Sequence, residues 1–277
     1  MMLLFRLLSR LPLRLLHGLG WALGWLVYAL SPTYRRRFRA HLAQAGLGGA
    51  QGRAAVGQAG MLALELPRLW LGAPVPLQWD GAEHIEQALQ QGRGIVFLTP
   101  HLGSFEVTAQ AYAARFGARR PMTVLYRPSR QASLRELVDT ARMRPGLKTA
   151  PTTLAGVRQL LKALHAGEAV GLLPDQVPPL GLGVWAPFFG RSAYTMTLAA
   201  RLARQSGAQV LLAWGERLPR GQGYRVHVQP LQQALPADAQ AAAAAINRAM
   251  EALILRCPQQ YLWGYARYKE PRQETSA

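Results

Sequence analysis

Acidic residues are scarce in this 277-residue sequence and missing altogether from its N-terminal stretch. There are 14 Asp and Glu against 32 Lys and Arg, a formal net charge of +18, and Glu65 is the first carboxylate in the chain. Lysine is nearly absent, with three residues against 29 arginines. A GC-rich genome accounts for that ratio but not for the net charge, and the planar guanidinium fork suits an anionic partner. The single cysteine, Cys257, excludes an internal disulfide; it precedes Pro258 and reads as a small buried residue rather than a nucleophile. No H-E-x-x-H or C-x-x-C occurs among six scattered histidines, so no metal site is expected. The lack of a G-x-S-x-G elbow or a Walker loop takes most of the support from covalent serine hydrolysis and nucleotide hydrolysis. No nucleic-acid module or aromatic-basic strand face occurs, so no nucleic-acid partner is expected. No repeat or low-complexity linker divides the chain, which predicts one catalytic domain with an N-terminal appendage.

Long apolar runs are missing too. The N-terminal uncharged stretch, residues 18–30, has 13 residues, whereas a spanning helix needs about 20. Arg6, Arg10, Arg14 and His17 recur at spacings of four, four and three, which on one continuous helix lines them along one face, with leucines elsewhere. This predicts a helix lying in one leaflet, with Trp21, Trp25 and Tyr28 near the interface and Arg35, Arg36, Arg37 and Arg39 on anionic headgroups. A single spanning anchor is the alternative. A cleaved signal is disfavoured, because Leu30-Ser31-Pro32-Thr33 is a poor cleavage site and the arginines after it resist translocation. Gly18, Gly20 and Gly24 could form a helix-pairing face. The expected division is a basic membrane-associating segment at 1–46 and a catalytic domain at 47–277, on the cytoplasmic side.

The remaining chain alternates short apolar runs (94–98, 122–126, 169–173, 209–214) with helix-like stretches (105–116, 133–143, 154–165, 195–205). That alternation predicts an α/β fold with a mostly parallel twisted sheet flanked by helices, a late antiparallel strand at 224–228 and a closing helix at 237–255. Ligands in such sheets bind beyond the carboxyl ends of the strands. His101, Arg127 and Asp175 each follow one of the strands.

The richest segment is Thr99-Pro100-His101-Leu102-Gly103-Ser104-Phe105-Glu106. Along one continuous α-helix the imidazole and the carboxylate would be separated by ~7.5 Å and rotated by about 140°, too far for a hydrogen bond. The chain must turn between them, and Gly103 can make that turn. A base oriented by a carboxylate, able to activate a hydroxyl, fits this arrangement; a hydrogen-bonded structural histidine is the commoner reading of the motif alone. Ser104 reads as a helix N-cap, and Phe188-Phe189 mainly as core packing, with the wall of an apolar tunnel as the alternative.

The segment His-Leu-Gly-Ser-Phe-Glu at 101–106, Tyr126-Arg127-Pro128, Arg142-Met143-Arg144, Pro174-Asp175-Gln176, the run Gly-Val-Trp-Ala-Pro-Phe-Phe-Gly at 183–190 and Gln260-Tyr261-Leu262-Trp263 occur in this order. Together they resemble the lipid A late (lauroyl/myristoyl) acyltransferase family, within the wider glycerolipid acyltransferase group, over residues 79–269. The resemblance implies transfer of a fatty acyl chain from acyl carrier protein to a hydroxyl of a 3-hydroxyacyl chain on a lipid A precursor, at the cytoplasmic face of the bacterial inner membrane, with no cofactor. It implies that His101 takes the acceptor's proton and that Glu106 fixes its tautomer, without an acyl-enzyme. Arg142 would bind the anionic acceptor's phosphate, with Arg127 and Arg144 beside it. Asp175 matches the acidic residue of the family's proline-aspartate motif, with Gln176 next to it; whether Asp175 orients an arginine or touches the sugar stays open. The glycerolipid branch's asparagine before the histidine is replaced by Pro100, and its glutamate-glycine-threonine motif by Pro174-Asp175-Gln176. Acylation of a lysophospholipid, another glycolipid or an aminolipid is the second choice, and a non-catalytic membrane-binding protein a remote third.

Overall fold

The computed structural model describes residues 2–126 and 144–273. Four helices come first: α1 (Met2–Ser9), α2 (Leu13–Leu30), α3 (Pro32–Gln44) and α4 (Gly49–Leu71). The α/β part follows as β1 (Leu77–Asp80), α5 (Ala82–Gln91), β2 (Ile95–Leu98), α6 (Phe105–Phe116), β3 (Met122–Tyr126), β4 (Leu147–Pro151), α7 (Leu154–His165) and β5 (Ala169–Leu172). It ends with β6 (Gly183–Phe188), β7 (Arg191–Met196), α8 (Leu198–Ser206), β8 (Gln209–Arg217), β9 (Tyr224–Pro230) and α9 (Ala239–Arg256).

Seven strands form one sheet in the order β1-β9-β8-β2-β5-β3-β4. β8, β2, β5, β3 and β4 run parallel, as expected for apolar strands with helical connections. β9 turns back antiparallel onto β8, and β1 runs parallel to β9. β2 is central and every one of its side chains is buried. Each sheet face carries its own core. Phe38, Leu98, Leu160, Ile246 and Trp263 belong to one, and Ile95, Phe97, Tyr112, Phe116 and Tyr224 to the other.

The α/β class, the parallel strands and the antiparallel late strand agree with the sequence reading. The short strands β1 and β4 and the antiparallel β6-β7 hairpin were not foreseen, and the helix expected from 195 starts at Leu198 because Thr195 and Met196 finish β7. The helix expected at 133–143 lies outside the described residues.

The N-terminus departs from a single helix with one basic face. Pro12 has no N–H to donate and steers Leu11 away from helical geometry, so α1 stops at Ser9 and a new helix starts after Pro12. Arg6, Arg10 and Arg14 remain exposed, but His17 is buried against α4. α2 packs along α4 at backbone contact distance. A methyl group added at Gly24 would stand 2.3 Å from the Val56 carbonyl oxygen, and one at Gly60 would stand 2.0 Å from that of Gly20. Gly20 and Gly24 are therefore a pairing face, with Gly57 and Gly60 of α4 as its complement. α2 is long and apolar enough to cross a membrane by length and composition. Its Leu15, Leu19, Leu23, Leu26 and Leu30 are exposed, whereas Leu13, Leu16, Gly20 and Gly24 face protein. Arg35 donates to the carbonyls of Tyr28 and Ala29, satisfying the end of α2, and Arg37 and Arg39 bond Gly264 and the Tyr28 hydroxyl.

Candidate active site

β2 delivers the chain to the carboxyl edge of the sheet, where residues 99–104 form a tight turn. Gly103 sits at φ +60, and a Cβ there would stand 2.0 Å from the Gly215 carbonyl oxygen. Conformation and space thus both call for glycine. The turn is pinned on three sides: Gly103 N–H donates to Gln260 O (3.0 Å), Ser104 N–H to Gly215 O (2.7 Å) and Leu262 N–H to His101 O (3.1 Å). His101 is consequently held by its backbone before its side chain makes any contact.

The imidazole meets a carboxylate from the next strand over. Asp175, which follows β5, accepts from His101 N–H at 2.9 Å and from Nδ1 at 2.7 Å. An ionised carboxylate can only accept, so Nδ1 carries a proton, and in the neutral ring Nε2 keeps its lone pair. Asp175 is 1% exposed. Burial alone would raise its pKa, but the His101 charge, the two hydrogen bonds and the nearby Arg267 guanidinium outweigh it and hold the carboxyl below its ordinary range. The Gln176 amide stands 2.9 Å from Nε2, donating to the lone pair. The Phe105 ring packs on the imidazole, centroids 4.9 Å apart.

Glu106 lies elsewhere than expected. In the first turn of α6 it accepts from the Trp70 indole N–H at 3.3 Å and stands near Arg144; it does not contact Nδ1 of His101. The ring-orienting carboxylate is 74 residues away in sequence, not five. Gly103 does make the turn, but it sends α6 off with Glu106 toward the end of α4, while β5 brings Asp175 beneath the imidazole.

Arg144 donates to the carbonyls of Leu69 and Trp70 at the end of α4. Its pKa is lowered by partial burial against the opposing pull of Glu106. Arg127 and Arg142 lie outside the described residues. Ser104 occupies the N-cap position of α6 without a capping hydrogen bond from its side chain. Phe188 is core, packed on Tyr268 and under the Arg267 guanidinium. Burial pushes the Cys257 thiol up to about 12, which suits a packing residue and not a nucleophile.

Beside the imidazole an apolar cleft enters the protein between α6 and the sheet. Phe105 and Glu106 line it together with Phe97 of β2, Val124 of β3, Gly171 of β5 and Trp79 of β1. Gly171 has no side chain to fill this space, and an added Cβ would lie 3.2 Å from Val124 Cγ1. An imidazole, its orienting carboxylate and an apolar cleft therefore lie close together at one edge of the sheet. This equips the site to activate a hydroxyl next to a bound hydrocarbon chain.

Sequence reasoning missed a second polar cluster immediately behind the turn. Glu65 of α4, fully buried, takes a bidentate ion pair from Arg217 at the end of β8 (Nε–Oε2 2.6 Å, Nη2–Oε1 2.9 Å). The Tyr224 hydroxyl (3.0 Å) and His17 Nε2 (3.2 Å) also meet this carboxylate. Burial would raise the Glu65 pKa, yet Arg217 and His17 bring it down to about 2. The available signal was its position: the chain's first carboxylate stands alone in the apolar stretch Met-Leu-Ala-Leu-Glu-Leu.

Comparison with known proteins identifies the family. The model of a family described as bacterial lipid A biosynthesis acyltransferase matches residues 2–270. The chain is 31% identical over 191 residues to the lipid A biosynthesis palmitoleoyltransferase of Escherichia coli (strain K12), covering 69% of this chain and 60% of that protein. It is also 31% identical over 191 residues to the lauroyltransferase of the same organism (68% and 60% covered), and 27% identical over 186 residues to a lipid A biosynthesis acyltransferase of Haemophilus influenzae (strain ATCC 51907 / DSM 11121 / KW20 / Rd), with 67% and 57% covered. The matched part thus spans about three fifths of these curated relatives.

Proposed function

Because this chain belongs to the bacterial lipid A biosynthesis acyltransferase family, we propose that it is an O-acyltransferase that moves a fatty acyl chain from acyl carrier protein to a hydroxyl of a 3-hydroxyacyl chain on a lipid A precursor. The observation that carries the reading is the His101–Asp175 pair, which leaves Nε2 as the free base beside the apolar cleft. The acceptor hydroxyl takes the place of the Gln176 amide at Nε2 and gives up its proton there as its oxygen attacks the thioester carbonyl. The C–S bond breaks, and the imidazolium returns the proton to the departing thiolate. One ester and one thiol leave, and no acyl-enzyme is formed. Asp175 keeps Nδ1 protonated and stabilises the imidazolium. Glu106, which lines the cleft and accepts from the Trp70 indole, borders the donor's reacting end.

The cleft takes the acyl chain, and its walls are mostly apolar side chains, with Thr99, Glu106, Thr108 and Gln110 among the polar exceptions. A formal charge of +18 favours an acidic carrier-protein donor and an anionic acceptor, with Arg127, Arg142, Arg144 and Gln176 as acceptor-side contacts. The exposed leucines of α2 and the exposed Arg6, Arg10 and Arg14 support seating on the cytoplasmic face of the inner membrane, with residues 1–46 as the membrane-contacting part.

The test is to incubate purified protein in detergent with acyl carrier protein carrying a labelled acyl chain and with lipid A precursor, lysophosphatidate or an aminolipid as acceptor. Mass spectrometry should find one added acyl chain on the lipid A precursor. Transfer only to another acceptor, or none in the presence of an active positive control, overturns the reading.

A further inference from the structure

The Glu65–Arg217 pair is wholly buried and its guanidinium is almost fully used. Nε and Nη2 hold the carboxylate, Nη1 donates to Gln58 Oε1 at 2.7 Å, and Nη2 also reaches the Gly103 carbonyl at 3.2 Å. Arg217 grips the same turn a second time. Its backbone N–H donates to Gln260 Oε1 and its carbonyl accepts from Gln260 Nε2, both at 2.9 Å, and the Gln260 carbonyl in turn receives the N–H of Gly103. Gly103 is two residues from His101, so one arginine holds the Gly103 carbonyl directly and its N–H by way of Gln260.

A buried ion pair is a poor source of net stability, because the desolvation of both charges offsets their attraction and packed apolar residues often do as well. What apolar residues could not do is hold a carbonyl and an N–H of a left-handed turn in fixed positions. The other partners of Glu65 extend the connection: His17 belongs to α2, whose other side is exposed and apolar, and Tyr224 opens β9.

We propose that Arg217 is a positioning residue for His101, held in that role by Glu65, so that the aim of the base depends on α2 and α4 being docked on the sheet. The inference rests on His101 being the base. No part of the Glu65–Arg217 cluster touches the imidazole. Its effect is on orientation, and displacements of about 1 Å at a reacting group are worth on the order of 100-fold in rate.

Arg217→Lys tests this, because lysine keeps a cation against Glu65 but cannot span Gln58, the carboxylate and Gly103 together. The expected result is a protein whose melting temperature stays within a few degrees of the parent, with kcat down about 10- to 100-fold and KM within about threefold. The hydrogen-bonded Nδ1 proton of His101, observed by NMR with ¹⁵N-histidine and assigned by its loss in His101→Ala, should shift or broaden. Unchanged kcat with an unmoved resonance overturns the proposal. So does a loss of activity that merely follows the loss of folded protein while the resonance stays in place. Should Arg217→Lys fail to fold, Gln260→Met breaks the second grip while leaving the ion pair intact, and the same two readings decide. His101→Ala separates the two levels: if it stays active, the base assignment falls; if it is inactive while both other variants behave as the parent, only the positioning role falls.

Discussion

Asp175 accepts twice from His101, at 2.9 Å from the backbone N–H and 2.7 Å from Nδ1, so one buried carboxylate fixes both where the residue sits and how its ring is turned. This gives the two acidic residues of the site different work. Asp175 orients the His101 ring, while Glu106 bonds the Trp70 indole and lines the cleft.

Asp175→Asn should therefore leave the fold intact but admit the wrong imidazole tautomer, lowering kcat by on the order of 10³–10⁴. Glu106→Gln should also cost activity, through the cleft, while the Nδ1 proton resonance of His101 persists. Steady-state kinetics and the NMR signal, read together, check the pair. Loss of that resonance in Glu106→Gln with its retention in Asp175→Asn would reverse the two roles.

Gly171 lies in register with Val124 on the neighbouring strand, in the wall of the cleft. A Cβ there would come 3.2 Å from Val124 Cγ1 and 3.5 Å from Met122 Sδ, so alanine fits with small adjustments and valine fills the slot. Gly171→Ala should shift donor preference to shorter acyl chains, and Gly171→Val should do so more strongly with some loss of stability. Competition among donors of 10, 12 and 14 carbons (about the range a narrow slot can sort), read by product mass, measures this. An unchanged chain-length profile in an active variant would place the acyl chain elsewhere.

The carboxyl of Glu65, at about 2 in the folded protein, lies below its ordinary 4.5 because the Arg217 and His17 contributions exceed the burial penalty. A group with a depressed folded pKa stabilises the fold above its unfolded value and loses that contribution as pH falls through the folded one. The linked stabilisation, on the order of 3 kcal/mol, should be complete above about pH 5 and decline toward pH 2. Melting temperature against pH should fall across that window in the parent. In Glu65→Gln the melting temperature should be lower at neutral pH, and the gap should close on acidification. A constant gap from pH 6 to pH 3 would contradict this account of the carboxylate.

How much of this was legible in the chain depends on sequence distance. The turn at Gly103 could be read because His101, Gly103 and the helix start are adjacent. The parallel strands could be read because β2, β3 and β5 are mostly apolar runs, while β1 and β4, no shorter, are too polar to signal themselves. The partnership of His101 with Asp175 could not be read, since it arises from β2 and β5 lying side by side and no local spacing encodes that. The same holds for Glu65 and Arg217, which meet across 152 residues. The break at Pro12 was available from the residue alone. A spacing argument that ran helical positions through it gave His17 an exposed place that the buried contact with Glu65 does not allow.

The packed face of α2 and the exposed arginines of the N-terminal stretch make separable demands, and two variants should divide them. Gly24 lies on the face that meets α4, and any side chain there collides with backbone, so Gly24→Leu acts as overpacking worth about 1–3 kcal/mol. That corresponds to a fall in melting temperature of several degrees in a chain of this size. Arg6, Arg10 and Arg14 are exposed, and replacing all three by Gln should leave the melting temperature unchanged. A cation near an anionic bilayer is worth about 1 kcal/mol, so the triple variant should bind anionic vesicles about two decades more weakly. Sedimentation with vesicles and thermal scans in detergent, run on both proteins, should give opposite patterns. Deleting residues 2–30 would combine both losses and strip Glu65 of His17, so it should yield misfolded protein and not a soluble catalytic domain. Recovery of a folded, active fragment would make the N-terminal helices a detachable anchor and remove the link drawn between their docking and the catalytic turn.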